Sequence, residues 1–183
     1  MIEKTNRTSI VDDFLVKEEF VALRNMMTRH DFPWCYNPTV VRTPKPLLLN
    51  PGYFIHMIYD NGMPCSSFYN PLGYLLSQLD IMILTRIRAN LNPRLPEPYI
   101  FDFHIDAEDM GKDISAKWTT SIFYINTNNG YTELETGEKI ESIANRLVSF
   151  PLSTRHRIVT QTDEQTRIMV NFNYLKENEV NCR

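Results

Sequence analysis

The second half of this chain is dense in short segments of β-forming residues, and that density most constrains its fold. The segments are YIFDFHID, WTTSIFYIN, YTELET, KIESI, RLVSF, RHRIVT and RIMVNFNYL. Gly, Asn, Pro and Asp residues separate these segments at short intervals. Short strands at such spacing are typical of an antiparallel sandwich or jelly roll, and they argue against a parallel α/β sheet.

The first half carries helical signals instead. Between residues 11 and 29, apolar residues recur at helical spacing among charged ones. A second helix is predicted to begin at Asn70-Pro71, with Asn70 as the N-cap, and to continue through an apolar run. The last part of that run, IMILTRIRAN, is equally compatible with a strand.

Turn-forming residues punctuate the rest of the chain. The stretch from 32 to 70 is rich in Pro, Gly and Asn, and its length and turn content suit a lid over a site. Asn128-Asn129-Gly130 predicts a tight hairpin before YTELET, and Thr136-Gly137 predicts a turn before KIESI.

Helices followed by strands give the predicted fold class, which is α+β and mainly β, with the N-terminal helices packed on one sheet. A length of 183 residues suits one domain with a substantial core. We therefore expect a single domain over residues 1–183, with a helical front over about 1–92 and a β core over about 95–176.

Composition argues against several classes of function. The formal net charge of −3 gives no basic footprint for general nucleic-acid binding. No apolar run approaches the roughly 20 residues that span a bilayer, and the first residues lack the apolar core of a signal peptide. Cys35, Cys65 and Cys182 are far apart, which indicates free thiols in a reducing compartment. We expect a cytoplasmic protein with neither a membrane nor a nucleic acid as partner.

His104 and Asp106 stand two positions apart at the end of a strand-like segment, so their side chains share one face. His156 begins a later strand and can supply a third ligand. Two imidazoles and one carboxylate on one face of an octahedral metal form the facial triad of non-haem iron(II) oxygenases. Zinc and manganese also accept these ligand types, so the ligand set alone does not settle the metal.

Arg167 follows His156 by eleven residues, across a predicted turn near residues 162–164. In a hairpin, that separation returns the next strand to the metal. A guanidinium at that place can hold a carboxylate in a bidentate fork. The co-substrate 2-oxoglutarate needs this geometry, because one end chelates iron and the other end requires a cation. Tyr124, from a neighbouring strand, is our candidate to share that carboxylate.

The C-terminal part of the chain resembles the 2-oxoglutarate/iron(II) dioxygenases, specifically their prolyl 4-hydroxylase-like branch. The matching segments, in order, are HID, TSIFYIN, NGYTEL, NRLVSF, RHRIV and TRIMVNFNY. HxD alone is a weak signal, whereas the full set in this order and spacing is specific. The N-terminal third matches loosely, as FLVKEEF before a helix. A GGxTxF motif of the family is replaced by NGYTEL, a mild departure that leaves the iron-binding motif intact.

The resemblance implies a double-stranded β-helix, or jelly roll, with iron(II) at its open mouth. It implies His104, Asp106 and His156 as metal ligands, and Arg167 with Tyr124 as ligands of 2-oxoglutarate. The implied reaction consumes dioxygen and 2-oxoglutarate and hydroxylates a prolyl or other protein or peptide residue, with ascorbate as an accessory cofactor. Small stand-alone relatives occur in viruses and bacteria, which implies a phage or bacterial source and, for a virus, the host cytoplasm.

Three further residues are candidates for contact with the substrate. Lys117 precedes the central strand at a position where relatives present a basic residue toward substrate, and simple solvent exposure is the competing interpretation. Arg88 and Asn90 come shortly before the iron-binding motif and can either line the cleft or serve the structure. Alternation along the strand points Arg155 and Arg157 away from the metal.

Other functions stay open at this point. Free amino acids and small metabolites are hydroxylated on the same scaffold, because a fold does not name a substrate. Nucleic-acid dealkylation is disfavoured, since that branch carries a second Arg where this chain has Asn173. A non-catalytic, cupin-like metal-binding protein would need the metal but not Arg167. An inactive relative could serve as an interaction protein, although the intact triad argues against decay.

Overall fold

The computed structural model describes residues 8–38, 51–106 and 115–177, in which antiparallel strands are the main secondary structure. The strands are β1 Ser9–Val11, β2 Cys35–Asn37, β3 Tyr53–Asp60, β4 Met63–Pro64, β5 Ile81–Pro93, β6 Trp118–Tyr124, β7 Asn128–Leu134, β8 Lys139–Ser142, β9 Leu147–Pro151, β10 His156–Val159 and β11 Thr166–Lys176. The helices are α1 Lys17–Thr28, a 3₁₀ helix at Ser67–Leu72 and α2 Gly73–Ser77.

Within the described residues, the strands form two sheets. The larger has the order β1-β9-β6-β11-β5-β3-β2, with β4 also paired to β3, and the smaller has the order β10-β7-β8. Apolar side chains from both sheets pack together between them: Ile122, Tyr124, Leu134, Ile140, Val148, Phe150 and Met169. Two antiparallel sheets closed over a shared core confirm the predicted jelly roll.

Helix α1 covers the outer face of the larger sheet. Its buried residues Phe20, Leu23 and Met27 recur every three or four positions, which gives the helix one apolar side. The ring of Phe20 meets that of Phe123 in β6 edge-on, with centroids 6.2 Å apart. The prediction that an N-terminal helix packs on one sheet is therefore confirmed.

The helical front is shorter than the sequence predicted. The helical turns after Ser66 end at Ser77, and the side chain of Ser66, rather than Asn70, accepts the capping hydrogen bond. Residues 81–93 form the long strand β5. A strand forms here instead of a helix because the side chains alternate. Ile87 and Ala89 are buried on one face, while Arg86 and Arg88 lie on the other, which is a period of two residues.

The predicted hairpin at Asn128-Asn129-Gly130 is wrong. These residues begin β7, with an irregularity in the pairing register before Tyr131, and β6 and β7 belong to different sheets. Glycine is required at position 130 because a Cβ there would lie 2.9 Å from the backbone nitrogen of Gln161. The turn at Thr136-Gly137 does join a paired hairpin, β7 and β8, with Gly137 at a φ of +89°.

The structure describes only part of residues 32–70, the range that the sequence suggested as a lid. Residues 39–50 lie outside the described part of the chain. The segment Tyr53–Asp60 is β3, paired with neighbours on both sides of the larger sheet, so it is a fixed wall rather than a lid.

Two further expectations concern the chain as a whole. Cys35 and Cys65 are free thiols, as expected, and Cys182 lies outside the described residues. None of the helices in the described ranges is long and apolar enough to cross a membrane.

We predict that Phe123→Ala lowers the free energy of unfolding by about 3–5 kcal/mol, because it leaves a cavity beneath Phe14 and Phe20. Urea unfolding followed by circular dichroism measures this. The matched control is Met82→Ala, an exposed apolar residue whose loss should cost no more than about 0.5 kcal/mol. Equal losses in the two variants would contradict the packing of α1 on this sheet.

Candidate metal centre

The structure brings His104, Asp106 and His156 together. Their candidate ligand atoms all lie within 4.8 Å of one another. The sequence predicted a continuous strand over residues 99–106. In the structure this segment pairs with β10 only through isolated bridges. One of these bridges joins His104 to His156 by two backbone hydrogen bonds, of 2.9 and 3.0 Å. Because the bridge pairs the two backbones directly, it sets the imidazole rings side by side, with centroids 4.6 Å apart.

Asp106 is held from both sides. Its Oδ1 lies 3.0 Å from Nη2 of Arg86 in β5, and its Oδ2 accepts a hydrogen bond of 3.2 Å from the amide of Asn173 in β11. Burial alone would raise the pKa of Asp106, but the positive charge of Arg86, with that of the two histidines when protonated, lowers it well below its usual range. The side chain is therefore a carboxylate throughout the physiological pH range.

The two histidines can offer neutral nitrogens to a metal. Burial, together with the proximity of His156, lowers the pKa of His104 to about 4, so its ring is uncharged at neutral pH. The Nδ1 atom of His156 lies 3.1 Å from the carbonyl oxygen of Thr154. In the tautomer that donates this hydrogen bond, Nε2 keeps its lone pair for a metal.

This donor set fits a divalent metal. Two imidazoles and one carboxylate match the facial triad that binds non-haem iron(II) and leaves positions open for further ligands. The contacts of Arg86 and Asn173 to Asp106 also suit a metal ligand, because hydrogen bonds and ion pairs of this kind orient a coordinating carboxylate.

Arg167 is completely buried, and the described residues supply no anionic partner for it. Its Nε donates to Ser142 Oγ at 2.6 Å and its Nη2 to Thr132 Oγ1 at 3.1 Å, while Nη1 is buried without an acceptor. No carboxylate pairs with it among the residues that the structure describes. Burial lowers the pKa of Arg167, yet a guanidinium stays charged. A buried charge without a counter-ion is costly, so this place suits an anion.

Tyr124 lies beside Arg167, as predicted. The guanidinium sits over the phenol ring at 5.5 Å, and the hydroxyl donates to Thr132 Oγ1 at 2.8 Å. Burial raises the pKa of Tyr124, so the phenol is neutral and can act as a hydrogen-bonding group.

The route that brings Arg167 to the site differs from the expected hairpin. Strands β10 and β11 belong to different sheets, so His156 and Arg167 face each other across the sandwich instead of lying on neighbouring strands. The sequence reasoning also missed Thr132 and Ser142. The available signal was alternation, since both are buried hydroxyl residues on strands whose neighbours point outward.

The residues proposed for substrate contact divide into two groups. Arg88 and Asn90 line a cleft that is also lined by His104 and His156. Other residues of the cleft are Tyr53, Ile122, Ile158, Met169 and Asn171. Lys117 is exposed and does not line it.

The arginines that flank His156 point away from the metal, as alternation predicted. Arg155 lies 3.2 Å from a carboxylate oxygen of Glu135, and Arg157 lies 2.7 Å from one of Glu133. Both charges are thus neutralised within the smaller sheet and its edge.

Comparison with solved structures identifies the fold. A Pseudomonas putida prolyl-4-hydroxylase has a TM-score of 0.59 and 18% identity, with 94% of each chain covered. A Trichoplax adhaerens prolyl hydroxylase bound to a hypoxia-inducible-factor peptide has a TM-score of 0.55 and 16% identity, over 98% of this chain and 89% of that one. The epimerase SnoN, in complex with Fe³⁺, α-ketoglutarate and nogalamycin RO, has a TM-score of 0.62 and 9% identity, over 92% and 78%.

No model of a protein family matches this sequence, and no curated protein matches it. At identities this low, the likeness concerns the fold, which agrees with the resemblance seen in the motifs. The chain has the fold of the 2-oxoglutarate/iron(II) oxygenases, prolyl 4-hydroxylases among them.

Proposed function

We propose that this chain is an iron(II)- and 2-oxoglutarate-dependent oxygenase that hydroxylates an unactivated C–H bond. The proposal rests on the combination of a His-Asp-His cluster with a buried arginine, Arg167, for which the described residues supply no counter-ion. Metal ligands alone suit many proteins, whereas a diacid that chelates the metal at one end requires a cation at the other.

Strand β11 connects the two halves of the proposed site. Arg167, Met169, Asn171 and Asn173 alternate along it and so share its inner face. Arg167 lies at one end of this row, and Asn173, at the other, donates to Asp106. A co-substrate lying along this row would place one carboxylate at Arg167 and its keto acid at the metal.

The residues around this row have separate tasks. His104, Asp106 and His156 would hold iron(II), and Arg167 with Tyr124 would hold the distal carboxylate. When bound, iron(II) and 2-oxoglutarate supply the oxidising chemistry, in which dioxygen is consumed, 2-oxoglutarate leaves as succinate and carbon dioxide, and C–H becomes C–OH. Apolar side chains in the cleft, including Ile122 and Met169, exclude water from that chemistry. Ascorbate would keep the iron reduced.

For the substrate, we propose a prolyl or other residue of a protein or peptide. The Pseudomonas protein is named as a prolyl-4-hydroxylase, and the Trichoplax protein is bound to a peptide. SnoN, bound to nogalamycin RO, shows that the fold also serves small molecules, so a free amino acid or metabolite is the alternative. Arg88 and Asn90 would contact the substrate from β5. The proposal for Lys117 needs the substrate to extend beyond the cleft.

The competing functions fit less well. A cupin-like metal-binding protein has no use for a buried, unpaired Arg167. At the position where nucleic-acid dealkylases carry a second arginine, Asn173 is occupied in bonds to Asp106 and Thr120. A cytoplasmic location, proposed from the free thiols Cys35 and Cys65, suits a peptide or protein partner.

We predict that Asp106→Ala abolishes metal binding and 2-oxoglutarate turnover, because it removes the one anionic ligand of the cluster and leaves Arg86 unpaired. Binding of Mn²⁺, followed by calorimetry, and succinate release measure the two losses. The control is Glu97→Ala, which removes an exposed acid and should change neither. Full turnover in Asp106→Ala would rule out the triad.

We predict that Arg167→Gln weakens 2-oxoglutarate binding to the Mn²⁺-loaded protein by about 10- to 100-fold, the value of lost hydrogen bonds to a charged group. Arg167→Lys should recover part of the affinity, because it keeps the cation. Affinity for Mn²⁺ should stay unchanged in both variants, which separates this role from a loss of folding. Normal 2-oxoglutarate affinity in Arg167→Gln would rule out the proposed role of Arg167 in binding the co-substrate.

A further inference from the structure

Strand β5 presents two arginines toward the metal cluster, and their electrostatic situations differ. Arg86 is paired with Asp106, so its charge is neutralised. Arg88 forms no ion pair with any acid in the described ranges, and its Nε is buried without an acceptor. A guanidinium for which the described residues supply no counter-ion is suited to binding an anionic ligand.

The place of Arg88 separates it from the co-substrate cation. In the pairing of β5 with β11, Arg88 lies opposite Asn171, four residues from Arg167. Four residues of strand correspond to about 13 Å along the sheet. The guanidinium of Arg88 lines the cleft beside His104 and His156, on the metal side, whereas Arg167 lies at the far end of the β11 row. The two cations therefore serve two different anionic groups.

Asn90, the next residue on the same face of β5, also has a polar atom without a partner among the described residues. Its amide nitrogen donates to the carbonyl of Arg88 and to Asn171 Oδ1, both at 3.2 Å. Its Oδ1 is buried and, within the described residues, receives no hydrogen bond. On this wall of the cleft, the described residues supply neither an anion for Arg88 nor a hydrogen-bond donor for Asn90 Oδ1.

We propose that Arg88 binds a carboxylate of the hydroxylated substrate, with a nearby N–H or O–H of the same substrate donating to Asn90. This inference rests on the proposed oxygenase function and names its substrate class. The substrate is an acid, either a free amino acid or the C-terminal residue of a peptide, and not a residue inside a chain. A site built around this partly buried cation should reject the corresponding amide, because the guanidinium would then lack an anionic partner.

The test uses the protein loaded with Mn²⁺ and 2-oxoglutarate, which binds without turnover. The probes are the common L-amino acids, their α-amides and their N-acetyl derivatives, and the readout is the shift in Tm. We expect at least one acid to raise Tm and its amide to leave Tm unchanged. Retention of the shift with the N-acetyl acid identifies a peptide C-terminus as the source, and its loss identifies a free amino acid.

Two variants connect the shift to this residue. Arg88→Gln should abolish the shift by the acid while retaining the shift produced by 2-oxoglutarate. Arg94→Gln, which removes an exposed arginine just beyond β5, should retain both shifts.

The proposal is overturned if no acid raises Tm, if an amide binds as well as its acid, or if Arg88→Gln responds like wild type. It is also overturned if Arg88→Gln loses the response to 2-oxoglutarate, since Arg88 would then serve the co-substrate. Failure of the proposed function has a different signature, because the wild-type protein would then show no response to 2-oxoglutarate with Mn²⁺ present.

Discussion

The backbone bridge between His104 and His156 is the interaction on which the proposed site depends. Its two hydrogen bonds join an extended segment to the first residue of β10. That single register sets both imidazoles side by side and brings Asp106, two residues later, into reach of Arg86 and Asn173. A slip of this segment by one residue would turn His104 and Asp106 away from His156.

The electrostatics of the cleft follow from the strands that form its wall. Arg86, Arg88 and Arg167 lie on the larger sheet, and among the described residues an acid pairs with Arg86 but with neither of the other two. Burial of Arg167 without a counter-ion from the described residues costs stability in the free protein, and a bound anion would offset that cost. We therefore expect an anionic ligand to stabilise the protein.

The sequence predicted the parts of the site that depend on local periodicity. Alternation predicted that His104 and Asp106 share one face and that Arg155 points away, and the structure agrees. The spacing of motifs singled out Arg167, whose role stays a proposal. The sequence could not predict which sheet each strand joins, because a strand signal is local while sheet membership depends on distant partners. The predicted hairpin of β10 and β11 is wrong for this reason, because the two strands belong to different sheets.

Contacts between distant residues were also beyond the sequence. The ion pair of Arg86 with Asp106 joins positions twenty residues apart, and the bonds of Arg167 to Thr132 and Ser142 join three strands. Alternation indicates that Thr132 and Ser142 point inward, but serine and threonine on strands are common, so alternation alone does not single out these two. The end of the helical front was likewise ambiguous, because an apolar run suits a buried helix and a buried strand alike until its neighbours are known.

The central claim is that one cleft holds both a metal and a keto acid chelated to it. Anaerobic titration of the apo-protein with iron(II) and then 2-oxoglutarate tests this directly, through the weak visible charge-transfer band of the chelated keto acid. The account predicts that the band appears in the wild-type protein and is absent from His104→Ala. Iron binding without a band would contradict it and would leave a metal-binding protein that does not use 2-oxoglutarate.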